Sequence, residues 1–258
     1  MSYAASQYTH LLLVCCHAVF TREHEWRDEN AWLLKDFQKS NASTGKLGEH
    51  HTFVAHILTA AFAAIANPNA LIIFSGGQTT DHPRTEAEGY GHVLSDLVAK
   101  YQLPNLPCET ENLATDSYQN LLFSILKFKN VTGNYPKNIT IFTHAFKNKR
   151  FLECHVPALK WPSNRVQVQG INPPFTLNEL QEVERFEHLR AYRAFKEENL
   201  YGRAAALAQK QLDRNWDPEA LHRLTVDLEQ SVQDLVHWTG GSTGLEIFPH
   251  MLPWEQDQ

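Results

Sequence analysis

This 258-residue chain has no hydrophobic run long enough to cross a bilayer, and Leu11–Val14 falls far short of the ~20 residues a membrane helix needs. No Lys or Arg precedes that run, so the basic start of a secretory signal is missing and the expected location is cytoplasmic. Cysteine is scarce: only Cys15, Cys16, Cys108 and Cys154 occur. The adjacent pair does not suit ordinary disulfide geometry, no pair has zinc-ribbon spacing, and buried, reduced thiols are expected. Triplets of the glycosylation type at Asn41, Asn130 and Asn138 are then chance matches. A concentrated basic run is also absent. With a formal net charge of −6 and both signs mixed along the chain, nucleic acid is not an expected partner.

Several catalytic signatures are missing too. There is no His-Glu-x-x-His motif despite fourteen histidines, and His51 and His56 do not share a helical face, so no metal is expected. Gly-x-Ser-x-Gly, a Walker A loop and a complete dinucleotide fingerprint do not occur, nor does an internal repeat.

What is present is an alternation of short apolar runs and amphipathic stretches. Leu11–Cys16 and Ala70–Phe74 read as strands buried on both faces, separated by a helix whose apolar positions include Phe53, Ile57, Ala61 and Ala64. Strand, helix and strand at this spacing predict a parallel βαβ unit. Arg22–Ser43 reads as a charged excursion containing a short helix. Thr85 and Glu88 form a capping-box signature before a helix through Tyr101, and a short element around Leu106–Cys108 follows. Thr115 or Asp116 caps the next helix, which ends near Gly133. Ile139–Thr143 is the clearest strand. A helix through Phe151 and His155 follows it, then a last strand at Val166–Ile171. The fold class is therefore α/β, a Rossmann-like three-layer domain with a mainly parallel sheet over residues 1–175. Residues 176–258 are expected to be a helical extension packed on that domain.

In such sheets ligands bind beyond the carboxyl ends of the strands, and three polar segments lie there. Ser75-Gly76-Gly77-Gln78 follows the second strand, where glycine amides can approach an anion, although a tight turn needing positive φ accounts for them as well. Glu86 follows in the first helical turn, where the helix dipole alone favours an acid. Glu111, Ser117 and Asn120 surround the next helix start, and capping does not explain them. Thr143, His144, Lys147, Lys149 and Arg150 follow the central strand. Cations near a helix N-terminus oppose its dipole, and a bound anion or a carboxylate partner would resolve that conflict, while a solvated lysine explains Lys149 equally well. His17, just past the first strand, is either a pocket residue or a loop histidine bonded to backbone.

The order and spacing of these segments resemble the domain-of-unknown-function 218 family, which includes the bacterial YdcF-, SanA- and ElyC-like proteins. The resemblance rests on Ser75-Gly76-Gly77, Glu86-Ala87, Glu111, Ser117, Asn120, Thr143, Phe146 and Arg150, and the long tail is most similar to the fungal cytoplasmic branch. The bacterial pattern has His where this chain has Lys147, Ser at His144, Glu at Gln119 and Ser at Ala114. The resemblance implies a Rossmann-like fold and S-adenosylmethionine as a possible cofactor, although no methyltransferase Gly-x-Gly loop with a following ribose-binding acid is present.

These features lead to an expected small-molecule enzyme acting on an anionic, nucleotide-like or phosphorylated ligand. Lys147 and Arg150 would hold negative charge, the Gly76 and Gly77 amides would cradle it, and Glu111 or His144 would move protons. A non-catalytic ligand-binding or sensor protein with the same pocket, or a scaffold whose helical tail binds a partner, are the alternatives.

Overall fold

The computed structural model describes residues 7–214 and 217–256. The chain enters through β1 (His10–Cys15), whose side chains alternate between two apolar layers. A short antiparallel hairpin follows, β2 (Val19–Phe20) against β3 (Trp32–Leu33). The remaining strands are β4 (Ala70–Ser75), β5 (Cys108–Glu111), β6 (Asn138–Thr143) and β7 (Val166–Gly170). The main sheet is wholly parallel in the order β5-β4-β1-β6-β7. The direction of strand winding reverses between β1 and β6, so their carboxyl ends form the topological switch point where α/β sheets hold ligands.

The two faces are distinct. Leu12, Val14, Ile72, Phe74 and Phe142 pack with α1 (His50–Ala66) and α2 (Glu86–Tyr101). Leu11, Leu13, Ile73 and Ile141 pack with α3 (Ser117–Thr132) and with the helix spanning residues 148–158. This is a Rossmann-like three-layer α/β fold. The caps follow from local chemistry: Thr85 Oγ1 accepts from Glu88 N at 3.1 Å while Glu88 Oε2 accepts from Thr85 N at 2.9 Å. Asp116 caps α3 through Gln119 N, 2.9 Å away, and Gly133 ends it in the left-handed region at φ 79°.

Residues beyond 175 form helical segments at Leu177–Glu187, continuing π-wound through His188–Tyr192, then at Ala205–Leu212, Pro218–Thr225 and Gln230–His237. Their buried residues Phe195, Leu207, Leu221 and Val232 join the same core as α3. Among the described residues no helix is long and apolar enough to cross a membrane.

The short helix expected within Arg22–Ser43 takes the form of two 3₁₀ turns flanking β3, whose Trp32 packs inward against Phe20, Phe53 and Tyr90. One local expectation is corrected. The short element expected around Leu106–Cys108 is β5, which runs on to Glu111. Glu111 is therefore a strand residue, in register with Ser75, and not part of a loop.

Candidate functional site

A cavity of about 700 Å³ opens at the switch point. Its floor comes from the ends of β1 and β6: Cys15, Cys16 and His17 on one side, Thr143, His144 and Lys147 on the other. Ser117 and Asn120 enter from the first turn of α3, and Glu86 from the first turn of α2. Two walls were not foreseen from the sequence. One is the 35–49 segment, with Lys35, Phe37, Lys46 and Glu49. The other is the extension, with Glu187, Arg190 and Arg214. Arg214 reaches back to donate to the Thr115 carbonyl.

Ser75, Gly76, Gly77 and Glu111 form a buttress behind the cavity. Glu111 is buried and its carboxylate is fully engaged: Oε2 accepts from Ser75 Oγ at 2.5 Å, and Oε1 accepts from Leu113 N at 2.6 Å and Ala114 N at 3.1 Å. Burial raises its pKa to about 7 against these hydrogen bonds. The expectation of Glu111 as a catalytic group facing a ligand is thus corrected, because its lone pairs hold the loop together. The anion cradle expected at Gly76 and Gly77 is corrected as well. Gly76 N donates to the Glu111 carbonyl at 3.0 Å and Gly77 N to the Ala114 carbonyl at 2.8 Å. Neither glycine has positive φ. They are small because space is short: a Cβ on Gly76 would lie 2.9 Å from atoms of Cys16 and Glu86, and one on Gly77 3.0 Å from the Ala114 carbonyl. Gln78 is also outside the cavity lining, donating to the His82 carbonyl at 3.2 Å. Asn120 links buttress and cavity, donating to the Ser75 carbonyl at 2.9 Å and to Ser75 Oγ at 2.8 Å.

Glu86 is the carboxylate that reaches the cavity from α2. It accepts from Thr79 Oγ1 at 2.6 Å, and burial raises its pKa. Across from it, Lys147 Nζ lies 3.3 Å from His17 Nδ1. The ammonium can only donate, so that nitrogen accepts and the His17 proton sits on Nε2, 3.4 Å from Thr143 Oγ1. Burial, and next the neighbouring Arg150 charge, bring Lys147 down to about 8. Among the described residues no carboxylate comes within 4.0 Å of its ammonium. His144 is buried, its imidazole held neutral by burial and by the Lys147 charge, and both ring nitrogens lack a hydrogen-bond partner among the described residues. It stacks between His17, with centroids 4.4 Å apart, and Phe146, 4.9 Å apart.

Arg150 is buried in the cavity wall, paired at 2.8 Å with Glu187 from the extension. Its Nε has no hydrogen-bond partner among the described residues. Lys149 lies outside this cavity, its ammonium 4.9 Å from the Tyr192 ring centroid. Ser117 Oγ is 2.7 Å from Nε2 of His155, a histidine the sequence did not single out. A π-wound stretch, Phe151–His155, separates Arg150 from Val156, and apolar periodicity could not have shown it. Among the described residues no group of three or more His, Cys, Asp or Glu is arranged to hold a metal ion.

The chain is similar to the Saccharomyces cerevisiae protein described as uncharacterized protein YOR238W, with 27% identity over 218 aligned positions covering 66% of this chain and 70% of the yeast protein. No family model matches the chain, and no solved structure does.

Proposed function

We propose that the cavity binds an anionic small molecule, phosphorylated or nucleotide-like, and that the protein is an enzyme acting on it. The observation that carries this reading is Lys147, a half-buried ammonium lining a 700 Å³ cavity, with no carboxylate within ion-pair distance among the described residues. A cation drawn partly out of water with only a neutral imidazole as acceptor is costly, and a bound anion offsets that cost. Ser117 and Asn120 line the cavity at the start of α3, where the helix dipole favours negative charge. His144 and Glu86 are the proton carriers. The neutral imidazole has two uncommitted nitrogens, and the raised Glu86 pKa suits a group that gives and takes a proton. The resemblance to the domain-of-unknown-function 218 family favours a ligand site at these same loops. S-adenosylmethionine, which that resemblance implies, does not fit a glycine cradle here, because the Gly76 and Gly77 amides are already bonded within the chain.

The test is a thermal-shift screen of nucleotides, sugar phosphates and polyprenyl phosphates, repeated on Lys147→Met, with mass analysis of each stabilising compound after long incubation. Stabilisation lost in Lys147→Met, with chemical change in the ligand, is the expected result. A ligand that stabilises both proteins equally removes Lys147 from the site. A ligand recovered unchanged makes the protein a binding protein and not an enzyme.

A further inference from the structure

A phosphate group needs only a small part of the cavity, so the rest identifies the remainder of the ligand. The apolar lining residues that keep some exposure are Phe37, Phe146, Phe175 and Phe186, with Val183 and Ala191 beside them. Among the described lining residues there is no Ile, and Leu207 is buried. Phe37 is 65% exposed, a large ring held at the rim with little burial of its own. Phe146 closes a stack of nearly parallel rings: His17 and His144 are inclined by 19°, and His144 and Phe146 by 11°. Burial keeps both imidazoles neutral, so the stack is an uncharged π surface. Phe175, 6.4 Å from Phe146 and tilted 42° to it, extends the aromatic surface. Beside them the Arg190 guanidinium lies 4.6 Å over the Phe186 ring and also lines the cavity, adding a second flat group.

We infer that this phenylalanine cluster is a subsite for a planar aromatic ring, so that the ligand is a nucleoside phosphate with its base against Phe146 and Phe175 and its phosphate toward Lys147. The inference rests on the anion-binding reading above. It selects a flat heterocycle over a sugar phosphate, whose C–H face covers a ring less fully than a base does, and over an isoprenoid phosphate, whose chain lacks a flat π-face. All four phenylalanines lie outside the fully buried core, so substituting them leaves the fold intact.

Calorimetric titration of the full chain with AMP, ribose 5-phosphate and farnesyl phosphate tests it. AMP should bind at least about tenfold more tightly than ribose 5-phosphate, within the range that base stacking supplies. Phe146→Leu, which keeps apolar volume but removes the ring, should abolish that preference and leave ribose 5-phosphate affinity unchanged. Phe175→Leu is the second variant and should act in the same sense. Equal binding of AMP and ribose 5-phosphate by the unaltered protein overturns the ring subsite while leaving the anion site standing. Tighter binding of farnesyl phosphate overturns it in favour of an aliphatic ligand. Failure of all three probes to bind overturns both this inference and the anion site beneath it.

Discussion

Replacing Glu187 by Gln should weaken the empty protein and strengthen its hold on phosphate. Glu187 pairs with the guanidinium of Arg150 at 2.8 Å, with side-chain exposures of 12% and 8% respectively. Any anion that uses Arg150 must therefore compete with a carboxylate already there. Gln keeps the shape but not the charge, so the loss is the charge attraction of that ion pair, about 1.5–3 kcal/mol, the scale of a charge-assisted hydrogen bond. For a protein of this size the melting temperature should fall by ~2–4 °C per kcal/mol. Affinity should move the other way. With the competitor neutral, phosphate or pyrophosphate gains a hydrogen bond of the same class, which corresponds to about ten- to hundredfold tighter binding. Differential scanning calorimetry with and without pyrophosphate reads both effects in one series. Equal or weaker pyrophosphate binding by Glu187→Gln would refute the reasoning, since Arg150 would then not be contested.

Lys147 predicts a pH dependence. With its pKa lowered to about 8, anion binding should weaken as pH rises through 8. Over the same interval the unfolded chain still holds its lysine proton, so the folded state should gain stability, and urea titrations of Lys147→Met should lack that gain. Glu111 has the opposite sign. Its pKa is raised to about 7, so its protonated form contributes stability that is complete below the ordinary carboxylate range and is lost as pH rises through 7, a slope that Glu111→Gln should remove from denaturation midpoints. Ser75→Ala deprives Glu111 and Asn120 of a shared hydroxyl and should cost about 1–3 kcal/mol in chemical denaturation. Gly170→Ala places a Cβ 2.3 Å from Ala145 Cα, so it should destabilise by roughly 1–3 kcal/mol and disturb the turn that carries Lys147.

The sheet was legible because β1 and β4 are buried on both faces and read as apolar runs, and β6 carries the β-branched and aromatic residues that strands favour. β5 was harder. It is an edge strand of sequence CETE, and its polar residues concealed that Glu111 points into the Ser75 contact. The candidate site was legible as a place, since the switch point follows from strand order, and Ser117, Asn120, Thr143, His144, Lys147, Arg150 and Glu86 do share one cavity. Its inner wiring was not. Backbone amides at Gly76 and Gly77 carry no sequence mark of where they point, and the carboxylate that answers Arg150 comes from a helix that pattern alone describes as a charged surface. The local electrostatic conflict around Lys147 and Arg150 was the one available signal, and an intramolecular carboxylate resolves part of it.

The helix Leu177–Glu187 buries none of its own residues, yet it closes one side of the cavity. A segment so lightly tied to the core can drift in sequence, length or tilt without endangering the sheet beneath it. Ligand preference can therefore diverge among relatives by changes in this span while the machinery at the strand ends stays constant, and two proteins with the same floor need not share a substrate.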